Sequence, residues 1–359
     1  MRKNHQKKSV LIIRASSLGD IVLAIPLTKC IKRSAPRTHI TWLVQPEFKD
    51  VLLNNPDIDN VLIYDRNLWK RLLKKRKFVT LIKCVLQMHK ELKGYHFDTA
   101  IDLQAQPDTG LLAMLSGALH RIGLSGEDSH NWFLTKRISK ILGDRTQVGS
   151  EYRYLANQLG YSDSQWEMNL NIPMETRMTA GELVEEKIGN SDYLVICPTA
   201  ATTQQQWFTD YWQQVTLRLR GRYQLRTLIL GDEDQWDYCE KIARVSGATN
   251  LAGKASAMQC AAIIDKAQFL IGVDTELTHL GHALSPPTVA LFGASHPYAY
   301  GEHEKSSIIY LDRYCSPCKT KPTCKKQYQC MKEITPDKVL TEIKSLLKRN
   351  NKLKSLTIS

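Results

Sequence analysis

Between Gln268 and Gly293 the sequence QFLIGVDTELTHLGHALSPPTVALFG brings a carboxylate, a hydroxyl and an imidazole close together. Asp274, Thr275 and Glu276 form a polar turn, and Thr278 and His279 follow on a short helix. An apolar strand precedes the turn, and a second closes on Phe292 and Gly293. Two apolar strands joined by a short helical crossover form a parallel pair, and open parallel sheets bind ligands just beyond their strand C-termini. The polar groups therefore stand where a ligand would lie, although Asp and Thr also cap helix N-termini.

A second such place is RASSLGDIVLAIPL (14–27), the exit from the first apolar run. Ala15, Ser16, Ser17 and Gly19 are small enough for a tight turn, and Asp20 falls in the first turn of the next helix. Amides at such a helix start favour anions, so the turn could hold a phosphate while Asp20 serves as a base. The plainer alternative is that Asp20 complements the helix dipole. The segment is neither a dinucleotide fingerprint nor a P-loop, since it lacks GxGxxG and GxxxxGK[ST].

Four of the nine cysteines cluster as Cys315-x2-Cys318-x5-Cys324-x5-Cys330, among Pro317, Lys319, Lys321, Pro322 and Lys325. Four thiols at this spacing can close a tetrahedral site around a structural zinc or iron, and basic neighbours favour the ligating thiolate. Free thiols are the alternative, or disulfides in an oxidising compartment. Cys30, Cys84, Cys197, Cys239 and Cys260 lie in apolar or helical contexts and read as small hydrophobes.

The elements that must position these groups alternate strand and helix. Strands are expected at 9–14, 38–44, 60–64 and 99–103, with a helix from Gly19 to about Ser34 and a long basic helical segment from about Leu68 to Lys93. The pattern restarts near Tyr193, with strands at 193–197 and 225–230 and helices at 209–220, 236–245 and 257–266. Such alternation argues for doubly wound α/β halves. With a polar joint near 171–190, the expected architecture is two Rossmann-like domains facing a central cleft; a single large α/β domain is the alternative. Expected boundaries are 1–175, 190–335, and a C-terminal basic helix at 336–359 packing back toward the N-terminal domain.

At 359 residues, with 43% hydrophobic and 24% charged side chains, the chain has the composition of a soluble globular protein. No apolar run approaches the ~20 residues that span a bilayer, and only four apolar residues follow the basic start before Arg14, too few for a signal peptide. A cytoplasmic location is expected. The net charge of +13 implies an anionic partner, and no nucleic-acid module accompanies it. Its basic stretches, WKRLLKKRK (69–77) and KSLLKRNNKLK (344–354), suit either solvated helix faces or contact with an anionic membrane surface.

Three segments, RASSLGDIVLAIPL, the basic stretch running into AIDLQAQ (100–106), and GVDTELTHLGHALSPPTVALFGASHP, resemble in family order the ADP-heptose transferases of lipopolysaccharide core synthesis, glycosyltransferase family 9. The resemblance implies a GT-B fold, with the donor held mainly by the second domain. It also implies inverting transfer from ADP-heptose to a lipopolysaccharide inner-core hydroxyl, without a catalytic cofactor, at the inner face of the bacterial inner membrane. On that basis Asp20 takes the acceptor hydroxyl's proton. Ser17, Gly19, Asp274, Thr275, Glu276 and His279 border the pyrophosphate, with Thr199, Thr202 and Gln205 from the loop CPTAATTQQQW. Gly231, Gln235, Lys254 and Ala255 form the adenosine edge. Trp69, Lys70, Arg71 and Gln104 meet the acceptor's acidic sugar.

Three positions depart from the family pattern. Gln205 stands where a phosphate-binding Lys is usual, Glu276 where a Gly lets the backbone approach the pyrophosphate, and Gln235 where a Glu meets the ribose. A neutral amide supplies no positive charge, and a carboxylate beside a diphosphate brings repulsion. Two further functions stay open. A related branch heptosylates autotransporter proteins and carries an iron-binding cysteine cluster, so a protein acceptor is one. A scaffold that kept the fold and lost donor turnover is the other.

Overall fold

The computed structural model describes residues 8–125, 132–139, 150–162, 166, 168, 170–284, 286–295, 297, 305–318 and 321–351. The chain divides into two compact units, the first reaching Asn171 and the second starting at Ile172.

The first unit is built on strands β1 (Ser9–Ile13), β2 (His39–Val44), β3 (Asn60–Ile63), β4 (Thr99–Asp102), β5 (His120–Ser125) and β6 (Lys136–Ser139). They lie in the order β3-β2-β1-β4-β5-β6, and every pairing is parallel. Beyond their half-buried first residues, β1 and β2 are buried throughout, as expected when helices cover both faces of a parallel sheet. Leu11, Ile13, Leu43, Ala100 and Leu112 belong to one apolar cluster of this core.

The second unit repeats the plan with β7 (Tyr193–Cys197), β8 (Arg226–Ile229), β9 (Thr249–Asn250), β10 (Leu270–Val273), β11 (Thr288–Phe292) and β12 (Ser306–Tyr310). The order is β12-β11-β10-β7-β8-β9, again all parallel. In each unit the first strand lies between the second and the fourth. The winding therefore reverses beside it, and the loops leaving strands one and four open a crevice there. The expected Rossmann-like α/β pattern is present in both halves.

Several elements differ from the sequence reading for identifiable reasons. The single helix expected after β1 is two, Leu18–Ala24 and Pro26–Ser34, because Pro26 has no N–H to continue the first ladder. The basic helical segment is also two helices, Arg66–Lys74 and Phe78–Gly94, parted where Arg76 takes φ 55°. The polar joint contains helix Met174–Ile188, which packs Ala180 and Val184 inward against helix Ala257–Lys266. Strands β5, β6, β9 and β12 escaped notice because they are short or carry charged and hydroxyl side chains.

The C-terminal helix requires a correction. Helix Pro336–Arg349 places Val339, Ile343, Leu346 and Leu347 in the core of the second unit rather than turning its apolar stripe toward the first. Ser307 ties it to β12 by donating to Glu342 at 2.7 Å. The apolar side of the 344–351 stretch is thus unavailable to a membrane, while Lys344 and Lys348 face solvent; residues 352–354 lie outside the described residues. Among the described residues no helix is long and apolar enough to cross a membrane.

Asp102, at the end of β4, is fully buried. It accepts from the Gln104 amide at 3.0 Å, the Ala105 amide at 3.2 Å and the Thr109 hydroxyl at 3.0 Å. Burial outweighs these bonds and lifts its pKa from 3.8 to about 6. A folded pKa above the unfolded one means the folded chain holds its proton longer, so stability falls as pH rises from about 4 to about 6. The shift corresponds to about 3 kcal/mol at neutral pH. Asp102→Asn should flatten this part of the profile, read as urea midpoints that change less than the parent's between about pH 4 and about pH 7.

Candidate active site

The exit from β1 is held on three sides. The buried guanidinium of Arg14 donates to the Leu103 carbonyl at 3.1 Å and pairs with the Asp20 carboxylate. Burial opposes the charge on Arg14, yet Tyr152, Asp20 and Glu151 more than offset it and raise its pKa. The Ser17 hydroxyl donates to Asp20 at 3.0 Å. Asp20 keeps 39% of its side chain exposed, so an ionised carboxylate faces solvent on a fixed support. Its place in the first turn of helix Leu18–Ala24 is the one the sequence indicated. It is not merely a dipole partner, because two side chains aim it.

Gln104 has a different occupation from the one expected. Its amide oxygen accepts from the Ala15 N–H at 2.9 Å and the Ser16 N–H at 3.3 Å, and its amide nitrogen lies 3.4 Å from the Ser16 hydroxyl. The side chain is buried and braces the turn, which leaves it poorly placed to meet an acceptor. Trp69, Lys70 and Arg71 ride on helix Arg66–Lys74, capped by Asp65, which accepts from the Leu68 amide at 2.7 Å. Trp69 stacks edge-on against Tyr64 at 4.9 Å, while Lys70 and Arg71 are exposed. Arg66 and Tyr64 both bind Asp108, at 2.6 and 3.0 Å, and so pin the start of this helix beside the loop after β4.

In the second unit the corresponding crevice, between β7 and β10, centres on Asp274. Its carboxylate accepts from the Gln205 amide at 2.9 Å and from the Ser295 hydroxyl, and His279 Nε2 lies 3.5 Å away. Burial alone would raise its pKa, but His279 first, then Ser295 and Gln205, outweigh burial and hold it below the usual carboxylate range. The other end of the Gln205 amide accepts from Thr202 at 2.7 Å. Thr275 occupies the N-cap of helix Glu276–Ala283 without a side-chain cap bond. Neither residue is used as a cap: Asp274 organises side chains instead, and the Thr275 hydroxyl is not tied to the helix amides. Glu276 begins the helix and is half-buried.

Around this centre, Thr199 packs against Gly231, where an added Cβ would meet both branches of the threonine at 3.0 Å. Gln235 donates to the Ala200 carbonyl at 3.2 Å and accepts from Gln206 at 3.2 Å, so both ends of its amide are engaged. The Lys254 ammonium sits 5.2 Å from the centroid of the Trp236 ring. Ala255 precedes the Ser256 cap of helix Ala257–Lys266. Thr278, named with His279 in the sequence, is buried against Gly272 and is a packing residue.

Sequence reasoning missed Arg14, Tyr152 and Ser295. A charge ending the apolar run SVLII was the available signal for Arg14; the small residue after Phe292-Gly293 was the signal for Ser295.

The four clustered cysteines do come together: beside the larger effect of burial, Cys324 and Cys318 raise the pKa of Cys315, and Cys315, Cys318 and Cys324 raise that of Cys330. Among the described residues no group of three or more His, Cys, Asp or Glu side chains is arranged to hold a metal ion. Cys330 is buried in the core beside Gly293, and Cys324 accepts the Tyr328 amide at 3.4 Å. That amide, rather than the neighbouring lysines, lowers the Cys324 pKa.

Comparison with known proteins follows the same lines. Residues 85–329 match the family described as glycosyltransferase family 9 (heptosyltransferase). The lipopolysaccharide heptosyltransferase 1 of Pseudomonas aeruginosa is 23% identical over 94% of this chain and 98% of its own. A family 9 glycosyl transferase from Veillonella parvula superimposes with TM-score 0.79 at 22% identity, covering 95% of this chain and 98% of that one. The E. coli ADP-heptose lipopolysaccharide heptosyltransferase II gives 0.70 at 18%, covering 96% and 99%. These two structural likenesses concern the fold.

Gln104→Ala should leave the buried Ala15 amide and the part-buried Ser16 amide without this acceptor and destabilise the first unit by about 2 kcal/mol, read from urea unfolding.

Proposed function

Because the chain belongs to glycosyltransferase family 9, the heptosyltransferases, and is a glycosyltransferase, we propose that it moves a heptose from ADP-heptose to a sugar hydroxyl of the lipopolysaccharide inner core, with inversion. The observation that carries the reading is that each unit holds its polar cluster at the same place in the same strand order: Asp20 beside β1 and β4, Asp274 and His279 beside β10 and β7. The name of the Pseudomonas relative supports the donor and acceptor classes.

In this reading the first unit supplies the base. The incoming hydroxyl gives its proton to Asp20 as its oxygen bonds to the anomeric carbon, and the bond from that carbon to the diphosphate oxygen breaks on the opposite face. Arg14 keeps Asp20 ionised and aimed. The second unit receives the charge that develops on ADP. Thr275, the amides opening helix Glu276–Ala283, and His279 are its donors, and Asp274 orients His279 and Gln205 without itself touching the diphosphate. Trp236 and Lys254 suit the nucleoside, and Lys70 and Arg71 suit an acidic sugar. A peripheral position on the anionic membrane face that presents the acceptor completes the proposal, supported by the exposed charges of 69–77.

A second reading has one observation in its favour. Gln205 brings no cation, and its amide is taken up by Asp274 and Thr202, so the cradle carries more negative charge than the family pattern. A scaffold that binds donor weakly would show this.

The deciding experiment screens ADP-, UDP- and GDP-sugars against purified core oligosaccharide, with products read by mass spectrometry; absence of any transfer by folded protein refutes the proposal. Asp20→Ala should lower kcat by about 10²- to 10⁴-fold while ADP affinity stays close to the parent's. Glu276→Gly should tighten ADP binding roughly three- to tenfold by removing a partly screened like charge, as measured by calorimetry. Weaker binding would assign Glu276 a productive contact.

A further inference from the structure

Helix Phe78–Gly94 divides its apolar side chains between two faces. Met88 and Leu92 are buried in the core of the first unit, with Leu81, Cys84 and Val85 half-buried beside them. Phe78, Val79, Ile82 and Leu86 lie on the adjoining face and are 53%, 71%, 57% and 60% exposed. At about 100° per residue these four fall within about 100° of arc, a continuous strip along two turns of the helix. Leu73, 52% exposed at the end of the preceding helix, adds to the apolar surface of this hairpin.

Folding does not require this strip, since the helix already buries the adjoining face through Met88 and Leu92. Its surroundings identify what would cover it. From Arg66 to Gly94 the chain has ten Lys or Arg residues and one acid, Glu91. Lys83 and Lys90 border the strip, Lys93 extends it, and Lys74, Lys75, Arg76 and Lys77 precede it, all exposed. Protein interfaces are depleted in Lys at their centres, whereas bulky apolar side chains rimmed by lysines are the pattern of helices that lie in a membrane interface. Lysine stems can lie along the apolar layer while their ammonium groups reach lipid phosphates.

We propose that helix Phe78–Gly94 is a membrane-docking helix that lies in the headgroup layer of an anionic bilayer, with Phe78, Val79, Ile82 and Leu86 entering the acyl boundary. The proposal builds on the peripheral location put forward above and is independent of the transfer chemistry. The strip is distinct from Trp69, Lys70 and Arg71, so anchoring and acceptor binding use different side chains of the same hairpin.

Flotation of the full chain with vesicles of phosphatidylethanolamine and phosphatidylglycerol, beside vesicles of phosphatidylcholine alone, tests this directly. The parent should float with the anionic vesicles and much less with the zwitterionic ones. A variant carrying Phe78→Ser, Ile82→Ser and Leu86→Ser should partition about tenfold or more weakly, since three large apolar groups no longer leave water. Lys83→Glu with Lys90→Glu should weaken binding to the anionic vesicles only. The serine variant should keep its circular dichroism, ADP affinity and turnover on a soluble, delipidated acceptor. Flotation of the serine variant equal to the parent's overturns the proposal, as does equal binding of the parent to both vesicle types. Loss of a concentration-dependent dimer in the serine variant, with flotation unchanged, assigns the strip to self-association instead. If the parent floats through this strip yet transfers no sugar, the docking helix stands and the transfer reading fails.

Discussion

In each unit a buried side chain from the loop after the fourth strand braces the loop leaving the first. Gln104 does this for Ala15 and Ser16, and Asp274 does it for Gln205. The two braces hold different groups. A doubly wound sheet sends its first and fourth strands' loops apart, and backbone amides at the resulting gap must find acceptors or face water. Gln104 meets the requirement with a neutral amide and thereby fixes the turn from which Asp20 projects. Asp274 instead ties its loop through side chains, accepting from the Gln205 amide and the Ser295 hydroxyl with His279 beside it. One half of the molecule presents a carboxylate to solvent; the other sequesters one to arrange its neighbours.

This division decides how each carboxylate behaves. Asp20, partly exposed and paired with Arg14, stays available to a substrate proton. Asp274, buried with three polar partners, stays ionised because the partners outweigh desolvation. Asp102, fully buried where Asp274 keeps 16% of its side chain exposed, is bonded to two amides and a hydroxyl and feels Arg14, yet burial outweighs these and pushes it up to about 6. The three residues share one chemistry, and their surroundings separate them into base, organiser and structural support.

The doubly wound α/β class and the central strands were legible because apolar runs such as SVLII and LIGV are continuous and the polar turns follow them immediately, whereas the strand order was not. Asp20, Asp274 and His279 were legible for the same reason, being adjacent in sequence to a strand end. What the sequence hid were relations across distance. Gln104 touches Ala15 from 89 positions away, and Gln205 touches Asp274 from 69. No local pattern reveals that an amide is already engaged, so both were read as ligand groups. The cysteine spacing did foretell that the four thiols would meet, but not that Cys330 would be drawn into the core and Cys324 toward a backbone amide. The exposed strip on helix Phe78–Gly94 was concealed because periodicity reports amphipathicity without telling which apolar face the core has taken.

The placement of helix Pro336–Arg349 bears on how the polypeptide matures. The first unit reaches Asn171, and its last described helix, Ser150–Gln158, lies in the first half of the chain. The second cannot close its apolar interior until Val339, Ile343, Leu346 and Leu347 have left the ribosome. Helix Pro336–Arg349 joins helices Thr209–Tyr223 and Trp236–Ser246 in that one apolar cluster, so the second unit completes its core with its most C-terminal described helix.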